Sequence, residues 1–137
     1  MSFSTEWEDI YQSGAHESIW PWSDVVSLTH RYLRKKEGKK VLELGCGAGA
    51  NIPFYQSIGV RYYGIEGSVY QADLLKNRFQ DENVTIVSGD FTKEIPFDTD
   101  FDLILDRGSL TCNSTDDIKN AIDMIYEKLC GGGYSLV

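Results

Sequence analysis

The sequence predicts an α/β domain: a three-layer parallel sheet with helices on both faces. Three observations predict it. Strand-length and helix-length segments alternate from Lys40 onward. The strand segments are nearly continuous apolar runs, as burial on both faces demands. Each run ends on a glycine or an acid, at Gly45, Glu66, Asp90 and Asp106. Ligands of such sheets bind outside the carboxyl ends of the strands.

The bulk properties fit one such domain. The chain has 137 residues, of which 42% are hydrophobic, enough for a single buried core. Its net charge is −8, which disfavours nucleic acid as a bulk partner. No apolar run is long enough for a membrane span, and the polar, acidic start MSFSTEWEDI does not look like a signal peptide. The three cysteines are an odd number and read as reduced thiols of a cytoplasmic protein. The N-x-S/T triplets at Asn83 and Asn113 are then chance matches.

Each element has its own signal. Residues 4–14 (STEWEDIYQSG) place Trp7, Ile10 and Tyr11 on one helical face, and Gly14 is the stop. HESIWPWSD is a connector broken by Pro21. Ser23 or Asp24 then caps a second helix, expected to reach about Lys36 before Gly38 ends it. KKVLELG is the first strand. A short helix over roughly Ala50–Gln56 follows, limited by Pro53. VRYYGIE is the second strand, and SVYQADLLKNRFQ is a helix burying Ala72, Leu75 and Phe79. NVTIVSGD and FDLILD are the third and fourth strands. In TDDIKNAIDMIYEKLC, Ile118, Ile122, Ile125 and Leu129 recur at helical spacing. Thr115 or Asp116 caps that helix, Gly131 is its left-handed stop, and YSLV opens a fifth strand. Residues 1–38 thus form a helical lead-in to a core over 39–137 within one domain.

The strand exits carry the chemistry. Gly45, Gly47 and Ala50 satisfy the dinucleotide fingerprint G-x-G-x-x-G/A, while Gly45, Gly47 and Gly49 also read as G-x-G-x-G, the loop of S-adenosylmethionine enzymes. Both need a tight turn and a close approach of ligand to backbone. Glu43, two residues before the loop, is a poor neighbour for a pyrophosphate and a good one for an ammonium. Glu66 lies about 20 residues beyond the glycines, where an acid accepts from both ribose hydroxyls. At the third exit, Asp90 suits an adenine amino group and Phe91 suits the face of a base. Asp106 ends the fourth strand, where the reacting group of a cofactor lies.

Taken together, VLELGCGAGAN, GIEGS, SGDF, FDLILDRGSL and IYEKLCGGGYSLV resemble, in order and spacing, the class I S-adenosylmethionine-dependent methyltransferases. The resemblance runs from about Lys40 to Val137. It implies a Rossmann-like fold and S-adenosyl-L-methionine as cofactor. The implied cofactor-binding residues are Glu43, Gly45, Cys46, Gly47, Gly49, Glu66, Gly67, Asp90, Phe91 and Asp106. The aromatic lead-in, with Tyr11 and Trp20 foremost beside Trp7 and Trp22, resembles the segment that covers the cofactor in small-molecule methyltransferases. An aromatic face near a sulfonium gains roughly 0.5–2 kcal/mol. LCGGG departs from the more usual L-x-P-G-G of the family at a turn. The family's sheet has seven strands. The chain is therefore expected to end at the fifth, as a truncated chain or with a homodimer covering the strand-five edge.

The implied reaction is in-line displacement at the sulfonium methyl, where orientation supplies up to roughly 7–11 kcal/mol. A general base is needed only if the acceptor must first lose a proton, and Asp106 is the catalytic candidate by position. DRGSL is unlike the Asn/Asp-Pro-Pro-aromatic motif of amino-group methylation on bases or glutamine, and no Pro-Cys supports a covalent cytosine mechanism. His16 and His30 are isolated, so no metal site is expected. The expected acceptor is a small molecule, then a protein side chain. A catalytically silent cofactor-binding subunit and an NAD-dependent oxidoreductase are the alternatives.

Overall fold

Five parallel strands in the order β3-β2-β1-β4-β5 form one sheet in the computed structural model, which describes residues 20–106 and 109–136. They are β1 (Lys40–Leu44), β2 (Arg61–Glu66), β3 (Val84–Ser88), β4 (Phe101–Asp106) and β5 (Leu129–Leu136). The helices are α1 (Ser23–Tyr32), α2 (Ile52–Ser57), α3 (Val69–Arg78) and α4 (Thr115–Lys128), with a 3-10 turn at Leu110–Cys112. The chain builds outward from β1 through β2 to β3, then crosses back to place β4 on the other side of β1.

Side chains alternate across β1, and this divides the core in two. Val41 packs with Val25, Leu33, Tyr55 and Leu75, beneath α1, α2 and α3. Leu42 and Leu44 face the other way, onto Phe97, Ala121 and Ile125, beneath α4 and the segment that follows β3. Burying one such side chain is worth about 1.5–3 kcal/mol. Both faces of the central strands are therefore dry, which is the three-layer arrangement the apolar runs predict.

Several boundaries differ from expectation. α1 stops at Tyr32 instead of reaching Lys36, because Leu33 leaves the helical conformation and is buried. Continuing the helix would also bring the cations of RYLRKK within one turn of each other. Neither Ser23 nor Asp24 caps α1; Trp22 is the N-cap and offers no side-chain cap. α2 begins two residues later than predicted, at Ile52, with Pro53 in its first turn. Ser114, not Thr115 or Asp116, caps α4, its hydroxyl accepting from Asp117 N at 3.2 Å.

The end of α4 is the largest correction. The helix stops at Lys128, and Leu129 already pairs with Phe101 as the first residue of β5. Gly131 lies inside that strand and is no left-handed stop. Gly133 explains the glycine run better: a Cβ there would meet the carbonyl oxygens of Cys130 and Phe101 at 3.0 Å. The register shifts between Phe101 and Leu103 at the same place, a bulge that needs close backbone approach. Ile122 is exposed; Ala121 and Ile125 are the buried residues of α4.

Arg31, Arg34, Lys35 and Lys39 line an open cleft with Asp102 and Tyr134 at the entry end of the sheet. Lys39 Nζ lies 3.8 Å from Asp102 Oδ1. The helix predicted over residues 4–14 lies outside the described residues. None of the described helices is long and apolar enough to cross a membrane.

Candidate functional site

Register brings the predicted exits to one edge. Leu44 pairs with Ile65 on one side and Asp106 on the other, and Glu66 pairs with Ser88. The glycine loop, Glu66, Asp90 and Asp106 thus leave the sheet side by side. β1 and β4 are also where the strand order reverses, the point at which open α/β sheets form a crevice.

The loop is tied down from within. Gly45 N and Cys46 N both donate to Ile65 O, at 2.8 and 3.2 Å, and Gly49 N donates to Cys46 O at 2.9 Å. Gly47 N donates to Glu66 Oε1 at 3.0 Å, and Gly47 O accepts from Gln71 Nε2 at 2.9 Å. Two of the three glycines also answer the protein's own packing. Gly45 has φ +67°, and a Cβ there would lie 2.5 Å from the side chain of Ser109. Gly49 has φ +76°, and its Cβ would lie 2.7 Å from Leu75 Cδ2, closing the approach of α3 to the loop. Cys46 is buried against Gly64, where a Cβ would meet its Sγ at 3.0 Å, and burial pushes its thiol well up.

Glu43 lies below the loop on the α1–α3 face and is 4% exposed. Its Oε1 accepts from the Tyr62 hydroxyl at 2.6 Å and its Oε2 from Asn51 Nδ2 at 2.9 Å. Burial pushes its carboxyl up to about 7, against the two hydrogen bonds; the charges of Asp106 and Glu66 push the same way as burial. Asn51 is 2% exposed, and its Oδ1 accepts from Trp22 N at 3.1 Å. Tyr55 stands beside Tyr62, ring centroids 5.9 Å apart, and shares a 2.9 Å hydrogen bond with Thr29 of α1.

Glu66 is 2% exposed and spans the gap between loop and helix. Besides Gly47 N, it accepts from Ser68 N at 2.8 Å, across the half-buried Gly67. Ser68 in turn caps α3 by accepting from Gln71 N at 3.0 Å. Asp90 Oδ1 accepts from both Thr92 N and Thr92 Oγ1, at 3.0 and 2.6 Å. Phe91 is 8% exposed and belongs to the α4-side core, with its ring edge reaching toward Gly45. Asp106 accepts from Ser109 N at 3.0 Å and Leu110 N at 3.1 Å, and the Ser109 hydroxyl also contacts it. Ser109 Oγ lies 2.9 Å from Leu44 O, so this serine fastens the loop after β4 to the end of β1.

Gly45, Cys46, Gly47, Gly49, Glu66, Gly67, Asp90 and Asp106 are therefore gathered at one edge, with Glu43 buried just behind it and Phe91 set into the core beside it. Trp20 is 76% exposed. Tyr11 and Trp7 lie outside the described residues. Sequence reasoning missed Asn51, Tyr62, Gln71 and Ser109. Asn51 carried a signal, since it closes the quoted run LGCGAGAN and precedes a helix-starting Ile-Pro. Tyr62 acts through sheet register, Gln71 through the packing of α3 and Ser109 through the loop after β4, none of which a local pattern displays. Among the described residues no group of three or more His, Cys, Asp or Glu is placed to hold a metal.

A parallel sheet with a reversal point, a glycine loop and acids on successive exits defines a Rossmann-like nucleoside-binding class of protein. Residues 41–133 match the methyltransferase domain family, and the chain belongs to it. It is 34% identical over 76 residues to the cypemycin N-terminal methyltransferase of a Streptomyces species, which covers 56% of this chain and 29% of that protein. Its fold is similar to that of a SAM-dependent methyltransferase from Thiobacillus denitrificans crystallised with S-adenosyl-L-homocysteine. That match has TM-score 0.74 and 19% identity, over 98% of this chain and 55% of that one. A SAM-dependent methyltransferase from Geobacter sulfurreducens, in complex with the same molecule, matches with TM-score 0.72 and 22% identity, over 98% and 55% of the two chains. The chain thus spans about half the length of these structures and under a third of the curated relative.

Proposed function

We propose that the strand exits bind S-adenosyl-L-methionine and that residues 39–137 form the cofactor-binding core of a methyltransferase. The carrying observation is the pairing of Gly47 N with Glu66, which fixes a buried carboxylate between the glycine loop and α3. A carboxylate has about four acceptor positions, so an acid fixed by two amides is preset for a ribose diol.

The same loop argues against a dinucleotide. A pyrophosphate site needs backbone N–H groups aimed outward at a helix N-terminus. Here the amides of Gly45, Cys46, Gly47 and Gly49 are already paired inside the protein. α2 has only six residues, with a proline in its first turn. A buried carboxyl behind the loop favours a ligand end bearing an ammonium.

The residues present fit the cofactor in this way. Glu66 takes the ribose hydroxyls, with Gly67 leaving room beside it. Asp90 takes the adenine amino group and the edge of Phe91 lies by the base. Gly45, Cys46, Gly47 and Gly49 form the floor, with Glu43 toward the amino-acid end. Asp106 holds the loop at the reaction centre; its bonds to Ser109 and Leu110 support a positioning role over that of a base. Bound there, the cofactor supplies a methyl group on a sulfonium leaving group. The protein then aligns the acceptor and excludes water. Trp20, exposed just ahead of α1, lies over the bound cofactor in this reading.

The acceptor is a small molecule in this reading. A peptide amine is the second reading, favoured by the relative whose name specifies N-terminal methylation of cypemycin. Calorimetric titration tests the cofactor assignment. S-adenosylhomocysteine binds in the micromolar range and NADH does not. Glu66→Ala and Gly47→Val each weaken that binding at least tenfold. Equal affinity in wild type and both variants refutes the site.

A further inference from the structure

We propose that Asn51 is a positioning residue, a two-ended clamp that makes seating of the segment entering α1 and occupation of the strand exits a single event. This rests on the cofactor reading above. The amide of Asn51 donates from Nδ2 to Glu43 at 2.9 Å and accepts at Oδ1 from the backbone N–H of Trp22 at 3.1 Å. Trp22 is 29 residues away in sequence and is the N-cap of α1. Asn51 itself sits where the glycine loop becomes α2. One planar group therefore joins three things: the acid behind the loop, the end of the loop, and the start of the N-terminal helix.

The clamp has a fixed polarity. Its oxygen is oriented by an amide N–H, so its nitrogen must face Glu43. Any change that shifts Glu43 toward a ligand ammonium pulls on Nδ2, and through the rigid amide on the backbone at Trp22. Seating of Trp22 conversely holds Nδ2 in place to support the Glu43 carboxylate. A second link runs parallel to it, from Glu43 through Tyr62 and Tyr55 to Thr29 of α1. That link passes through a ring contact between Tyr55 and Tyr62, whereas Asn51 carries hydrogen bonds without a break from Glu43 to Trp22.

The polarity makes the clamp testable by pH. A carboxylic acid at position 51 can imitate the amide while protonated: its O–H donates to Glu43 and its other oxygen accepts from Trp22. Ionised, it opposes Glu43 with like charge and no donor. Among the described residues, the other titratable groups facing this pair are Tyr62 of β2, Tyr55 of α2, Cys46 of the loop, Glu66 at the end of β2 and Asp106 at the end of β4. None of these is cationic, so nothing among them rescues the ionised form.

The experiment is titration of wild type, Asn51→Asp and Asn51→Ala with S-adenosylhomocysteine at about pH 5.5 and pH 8.5, with circular dichroism to verify folding. Hydrogen exchange of the Trp22 amide is measured with and without ligand. Asn51→Asp is expected to bind within about threefold of wild type at the lower pH and at least tenfold more weakly at the higher pH, relative to wild type at each pH. Asn51→Ala is expected to be weak at both. Ligand protects the Trp22 amide in wild type and fails to do so in folded Asn51→Ala. A folded Asn51→Asp whose ratio to wild type is the same at both pH values overturns the proposal. So does unchanged Trp22 exchange on ligand binding to wild type, which needs no variant to fold. Failure of wild type to bind at all refutes the cofactor reading and this inference with it. Binding by wild type with indifferent variants refutes this inference alone.

Discussion

Between about pH 4.5 and 7, Glu43 holds a proton that the unfolded chain would release. Burial pushes its carboxyl from an ordinary 4.5 to about 7. Between those values the folded state binds the extra proton, so stability falls as pH rises through that window and levels off above it. One such group contributes a slope of at most about 1.4 kcal/mol per pH unit. Urea denaturation of wild type and Glu43→Gln across the window checks this: the substitution is expected to remove that part of the slope. Parallel pH profiles for the two proteins would place the proton elsewhere. The existence of an acid at this spot was legible from its distance to the glycines. Its partners were not, because Tyr62 reaches it only through the parallel register of β1 and β2, and Asn51 only through the turn that the glycines build. A pattern read along the chain shows spacing; it does not show which side chains a register sets face to face.

Among the elements, the loop from β1 to α2 carries the tightest constraint. Gly49→Ala places a methyl group 2.7 Å from Leu75 Cδ2 in a left-handed backbone conformation. Strain of about 1–2 kcal/mol and overpacking of about 1–3 kcal/mol both oppose it. Gly89→Ala, at a site with no atom within 4 Å of the new methyl, is the control and is expected to be nearly neutral. Thermal denaturation of the pair separates packing from a general glycine effect. At α4, Ser114→Ala is expected to cost about 1 kcal/mol, and Thr115→Ala much less, because the Ser114 hydroxyl caps the helix. The run NSTDD offers several cap formers in a row. What selects Ser114 is Asn113, whose amide bonds back to the carbonyls of Ser109 and Leu110 and fixes where the turn ends. Strand and helix identities were legible because apolar runs and helical periodicity report burial directly. The end of α4 was not. Its apolar spacing continues through Leu129, but a pairing with distant Phe101 captures that residue for the sheet.

At the scale of the molecule, parallel topology was the most legible feature, since apolar strands separated by helix-length segments leave few other arrangements. The distribution of charge over the fold was less so. Six of the 13 Lys and Arg residues fall within residues 31–40, against a net charge of −8 for the chain. The fold sets four of these cations around the cleft where the strands begin, while Glu66, Asp90 and Asp106 stand where the strands end. The two ends are about 17 Å apart along a five-residue strand. Among the described residues, this basic cleft and these exit acids set opposite charges at the two ends of the strands, the negative one at the crevice. A net-positive sulfonium is drawn toward that end and a neutral thioether is not. Stopped-flow association of S-adenosylmethionine is expected to slow severalfold as salt rises from about 20 mM to about 500 mM, while S-adenosylhomocysteine changes little. On this expectation the basic decade of residues, far from any chemistry, favours the charged methyl donor over its spent product by orienting each approaching molecule before contact.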